Sequence, residues 1–274
     1  MKYIKLTLQY LFSIEKGRRA LILILLALPL ALFTAYVVPM DRYIKYFADY
    51  TVGDMSYVTV WKDNVTATRG MFLTFLDAIL LFLTLSCLIS VVSRSIRVGK
   101  FFVERIGTDI SDGSYPALFA ICGLVGLYLI AKVIYIAFLV VLQGVADAGA
   151  SLVLASIITA LFYFLLILLC ICTLLWIPIM TNYGVKPMGA FVRSFRKSYK
   201  NKWSFGVAIA LPLAIVTGAN IGGNLLGDTY AYIINTVMYA LLFAYLSVLP
   251  FVTYASIENI ERPDLTREFI LRNK

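Results

Sequence analysis

Six long apolar runs, separated by loops that are basic on alternate sides, constrain this chain more than any other feature. Hydrophobic residues make up 61% of its 274 positions and charged residues only 14%. The mean hydropathy is +0.89. A water-soluble domain of this length cannot hide so much apolar surface, so lipid must act as its solvent. The expected fold is all-α: a polytopic membrane bundle of six transmembrane helices, one domain over residues 1–274, with interfacial amphipathic helices. The spans are expected at about 20–40, 70–92, 116–142, 151–180, 204–223 and 229–254. The first run follows a charged segment and is followed by Val37-Val38-Pro39-Met40-Asp41 instead of a small-residue cleavage site, so it reads as a retained helix. No polar stretch is long enough for a separate soluble domain, and a motor or kinase activity would have to come from another chain.

The net charge of +9 is explained by placement. Of 24 Lys and Arg, nineteen fall before the first span, in the second and fourth loops, or in the tail, against four in the first loop and one inside a span. This is the positive-inside bias, and it predicts cytoplasmic N- and C-termini. Basic residues at that boundary suit anionic headgroups. No basic platform interleaved with aromatics lies outside the membrane zone, so nucleic acid is not an expected partner.

Cys87, Cys122, Cys170 and Cys172 all fall in apolar spans and histidine is absent. A disulfide framework, a Cys-His metal site and a Ser-His-Asp triad are thereby disfavoured. No Walker loop, dinucleotide fingerprint or HExxH motif occurs. The chain is expected to be neither an enzyme nor a holder of any cofactor or metal. The triplet Asn64-Val65-Thr66 matches a glycosylation sequon, and such triplets arise by chance.

Residues 1–19 predict an amphipathic helix with Tyr3, Ile4, Leu6, Leu8, Leu11 and Phe12 as its apolar positions. Residues 93–110 predict a helix that continues the second span or lies along the membrane, and that ends at Asp109, Asp112 and Gly113. Residues 184–203 predict a basic amphipathic helix in which Phe191, Phe195 and Tyr199 recur every four residues. The run 151–180 is long enough to require tilt. Ala27-Leu28-Pro29-Leu30-Ala31 recurs as Ala210-Leu211-Pro212-Leu213-Ala214, with Phe12 matching Phe195 and Arg19 matching Lys202. A parallel internal repeat and chance in an Ala/Leu-rich background both account for this.

Gly189, Ala190, Ser194, Arg196, Lys197 and Lys202 lie in GVKPMGAFVRSFRKSYKNKWSFGVAIALPLAI. Over about 35 residues this layout, a small residue and Ala, then Ser, a basic helix and an apolar span, resembles bacterial six-helix membrane proteins. The YciC-like family and the membrane domain of some glycerophosphodiester phosphodiesterases share it. The resemblance implies a multi-pass protein of a bacterial cytoplasmic membrane and carries no chemistry over.

Two ionisable residues interrupt the apolar runs: Asp77 in LTFLDAILLF and Lys132 in LYLIAKVIYI. Counted from the outer ends of their spans they lie about seven and ten residues deep, roughly 10 and 15 Å at ~1.5 Å per residue. A lone charge at such depth costs at least ~2.5 kcal/mol, so each must face the bundle or water. Asn220 and Asn224 share one helix face, and with Asp228 and Asn235 they form a polar stripe around the last outer turn. Asp77, Lys132, Asn220 and Asn224 are the expected intramembrane site, a polar pocket open to the outer side; the alternatives are a structural ion pair, Lys132 snorkelling outward alone, and asparagines that only tie helices together. Gly218 and Gly222, and Gly223 and Gly227, have the spacing of close helix packing or a homodimer contact. The expected function is that of a transporter or permease-like subunit, with an ATPase as one partner. The alternative is a membrane scaffold, assembly factor or sensor that recruits a cytoplasmic or membrane protein.

Overall fold

In hydrocarbon every backbone N–H and C=O must be satisfied within its own segment, which turns apolar runs of this length into helices. The computed structural model describes residues 2–13, 17–37, 71–99, 101, 103, 105–145 and 148–263. The first outer loop, its sequon and its aromatic residues lie outside the described residues. Among those described, the regular elements are all helical. They are α1 (Lys2–Leu8) with a π-helical turn (Gln9–Ser13), α2 (Arg18–Val37), α3 (Met71–Val98), α4 (Ile106–Val145), α5 (Ala148–Thr173), α6 (Trp176–Tyr183), α7 (Pro187–Lys200), α8 (Lys202–Asn224) and α9 (Asp228–Ile257). Six helical stretches are long and apolar enough to cross a membrane, which makes this a multi-pass membrane protein.

α9 is the hub. In its apolar centre 72% of residues are buried, against 12% for α4. α2 and α8 pack on α9, α3 packs between α2 and α4, and α5 leans on α4, α7 and α8. α2 shows why: Ala20, Leu23, Ala27, Leu30, Ala31 and Ala35 recur with helical spacing and are all buried, whereas Leu21, Leu25 and Leu32 face out. The small residues let α9 approach, and the exposed leucines meet lipid.

Several boundaries differ from the sequence reading. The fourth run is not one tilted helix: α5 ends at Thr173 and α6 begins at Trp176. Pro178 explains the break, because its missing N–H and its ring cannot continue a helix through Leu174, whereas the first turn of a new helix tolerates it. The segment holding Asp109, Asp112 and Gly113 does not end a helix. It opens α4, which starts ten residues before the expected boundary and runs 40 residues. α3 stops instead at Gly99, in the left-handed region at φ +73°.

The basic segments gather at one end of the bundle. The Arg19 guanidinium lies 4.9 Å from the Tyr10 ring centre and 5.7 Å from that of Phe101, and Arg262 reaches Tyr10 at 5.6 Å. Lys197 on α7 pairs with Glu258 at the end of α9. α7 seats its small face, Ala190, Ser194 and Ser198, against the bundle. Ser194 Oγ donates to the Cys172 carbonyl at 2.8 Å beside the α5–α6 break, and Trp176 Nε1 donates to the Pro187 carbonyl at 2.9 Å. Met188, Val192, Phe195 and Tyr199 form an exposed stripe flanked by exposed Arg193, Arg196 and Lys200. Phe191 instead packs on Trp176, with ring centres 5.2 Å apart.

Candidate functional site

Two buried amides of α8 and α9 lie beyond an apolar cluster at the junction of α2, α8 and α9. That cluster holds Ala31 and Ala35 of α2, Val216 of α8, and Tyr239, Ala240 and Leu242 of α9. Asn220 stands one turn past Val216 and Asn235 one turn past Tyr239, so both share the clustered face on the side away from the basic end. Asn220 is fully buried, and neither its Oδ1 nor its Nδ2 has a hydrogen-bond partner among the described residues. Asn235 is 3% exposed with its Oδ1 likewise unpartnered. On the neighbouring seam Thr34 Oγ1 donates to Asp77 Oδ1 at 2.9 Å, and Thr34 precedes the clustered Ala35. Tyr232 Oη donates to the Leu32 carbonyl at 3.1 Å, tying α9 to α2 at this level.

Of the four expected site residues, Asp77 and Asn220 are placed with their side chains. Lys132 belongs to α4 and Asn224 ends α8 by their backbones; their side chains lie outside what the structure describes. The α3–α4 register bears on the depth estimate. Gly113 abuts the Ser86 backbone and Ser90 Oγ lies 3.3 Å from Asp109 Oδ1, so the two helices run antiparallel with residues 86 and 113 level. Nine residues farther along each, Asp77 is level with Cys122. Lys132 then stands ten residues beyond Asp77, about 15 Å at ~1.5 Å per residue. The expected agreement in depth within one turn gives way because, in this register, α4 extends well past the start of α3.

The buried charge pair of the described bundle lies elsewhere. Arg94 Nη2 binds Asp109 Oδ1 at 2.5 Å and also reaches Ser90 Oγ at 3.1 Å. Asp109 is fully buried in the first turn of α4, where the helix dipole favours a carboxylate. Run length alone assigns both residues to a loop. The i, i+4 spacing of Ser86, Ser90 and Arg94 against Asp109, Gly113 and Ala117 is the signal that identifies them. In the sequence Asn235 belongs only to a polar stripe, and Thr34 carries no signal in an apolar helix. Among the described residues no group of His, Cys, Asp and Glu has the makings of a metal site. No family model, curated protein or solved structure matches the chain.

Proposed function

We propose that this protein is a transporter or permease-like subunit, with both termini cytoplasmic, whose substrate path runs through the polar layer of Asp77, Asn220 and Asn235. Asn224 lies one turn nearer the outer side and Lys132 at the outer rim. The observation that carries this reading is Asn220. A buried amide left without partners costs ~1–3 kcal/mol per group, and Leu would pack in its place. An interhelical tie makes its hydrogen bonds within the protein; a residue lining a path makes them to water or substrate.

The test follows from that difference. Asn220→Leu should raise the thermal midpoint of the detergent-purified protein, and the thiol of Asn220→Cys should react with small hydrophilic reagents. Asp77→Asn should leave expression intact and abolish uptake of the substrate. A lowered midpoint in Asn220→Leu together with an inert thiol in Asn220→Cys would instead make the layer structural. The scaffold alternative rests on a separate observation, the exposed Arg193, Arg196 and Lys200 of α7. These form a docking surface for a cytoplasmic partner such as an ATPase, and copurification lost on neutralising them would favour it.

A further inference from the structure

Between α1 with its π-helical turn, α2, α8 and α9 lies a cavity of about 280 Å³, near the lower bound of ~300 Å³ for small-ligand pockets. Leu8, Phe12, Pro212, Ile215 and Leu241 help to line it, and all its lining residues but Tyr245 have apolar side chains. Tyr245 offers no donor to a ligand, because its hydroxyl proton is spent on the Ala208 carbonyl at 2.9 Å. The cavity shares Ile4, Leu8, Phe12 and Leu211 with a wider trough of about 1120 Å³, which adds Lys2, Lys5 and Gln9. Lys2 and Lys5 are exposed and form no ion pair among the described residues. A dry slot that opens into a trough rimmed by two ammonium groups has the chemistry of an anionic amphiphile.

We propose that α1 holds one anionic phospholipid here, with its phosphate on Lys2 and Lys5 and one acyl chain in the slot beside Pro212. The source is a membrane lipid rather than free phosphate, because the apolar slot accounts for more of the lining than the two lysines do. The site is separate from the polar layer, and its test needs no transport assay.

The full chain is reconstituted in nanodiscs holding equal phosphatidylglycerol and phosphatidylcholine, then released and weighed by native mass spectrometry. One phosphatidylglycerol should be retained, with roughly thirtyfold preference, from about 1 kcal/mol for each of the two lysines. Lys2→Gln with Lys5→Gln should remove the preference, Ile215→Trp should displace the lipid, and millimolar inorganic phosphate should not compete. Equal retention of both lipids by the wild type, displacement by phosphate, or an unchanged preference in the double lysine variant would overturn the proposal. If Ile215→Trp does not fold, the wild-type preference, the phosphate competition and the exposed lysine pair decide the matter.

Discussion

At Gly113 there is no room for a single methyl group. A Cβ built there would sit 1.8 Å from the Ser86 carbonyl oxygen and 2.6 Å from its carbon, both backbone atoms that cannot swing aside. Gly113→Ala must therefore push α3 from α4, and overpacking of this kind costs ~1–3 kcal/mol or more. Gly126, thirteen residues along the same helix, has nothing within 4 Å of its would-be Cβ. Gly126→Ala should gain ~0.5–1 kcal/mol, the helix-interior difference between the two residues. Thermal midpoints in one detergent should move in opposite directions, and equal shifts would refute the α3–α4 packing. The Arg94 pair gives a second contrast. Asp109 is fully buried while Asp112, 3.7 Å from the same guanidinium, is 60% exposed. Asp109→Ala takes from the part-buried Arg94 its close partner, leaves it Ser90 and the exposed Asp112, and should cost ~1–3 kcal/mol. Asp112→Ala should cost less than ~1 kcal/mol, as exposed pairs do. Neither pattern is visible as chemistry in the sequence. Gly113 reads as a helix terminator until its neighbour is known, and Arg94 reads as one more basic loop residue. Gly218 and Gly222 show the reverse. Their spacing promises close packing, yet no described atom of a neighbouring helix lies within 4 Å of a Cβ at either.

Within the helices, prolines decide which carbonyls need help. Pro212 has no N–H to give the Ala208 carbonyl four residues earlier, and an unsatisfied carbonyl in a span is expensive. Tyr245 of α9 supplies the missing donor at 2.9 Å. Tyr245→Phe should therefore cost ~1–3 kcal/mol in the wild type and much less in a Pro212→Ala background, where the new alanine restores the backbone donor. A double-mutant cycle on unfolding measures this coupling, and additive effects would show that Tyr245 is there for its ring alone. The same logic shows how far the elements are legible. Six spans follow from run length alone, and five of them are single helices, although α4 starts ten residues before its expected bound. The break between α5 and α6 is hidden because apolar residues continue across it. Pro178 is visible in that run, but its effect depends on α7 presenting Ser194 to the Cys172 carbonyl. The basic helix at 187–200 is legible because its polarity alternates with helical period. That Phe191 turns inward while Phe195 and Tyr199 face out depends on Trp176, a contact that spacing alone does not specify.

For the whole molecule, one distribution of charge organises the bundle. The segments counted as basic loops, distant in sequence, meet at one end, where Tyr10, Arg19, Phe101 and Arg262 form one cluster and Gly99 abuts Pro263. The opposite end carries the α8–α9 turn, with Leu225 85% and Leu226 65% exposed. Lys and Arg retained on one side of a membrane set orientation, so the end with Arg196 should face the cytoplasm and the end with Leu225 the exterior. The positive-inside bias predicts the side; the gathering of these segments predicts that they share it. In a chain with Cys87, Cys122, Cys170 and Cys172 replaced, Leu225→Cys should react with an impermeant thiol reagent added to intact cells. Arg196→Cys should react only after the membrane is opened. Both positions are exposed in the fold, so a difference in labelling reports the side of the membrane and not burial. Labelling of both from outside would refute their placement on opposite sides, and labelling of Arg196→Cys alone would reverse the orientation. It would also put the basic rim formed by Lys2, Lys5 and α7 against the wrong leaflet for anionic cytoplasmic lipid, so the topology test bears on the lipid site as well.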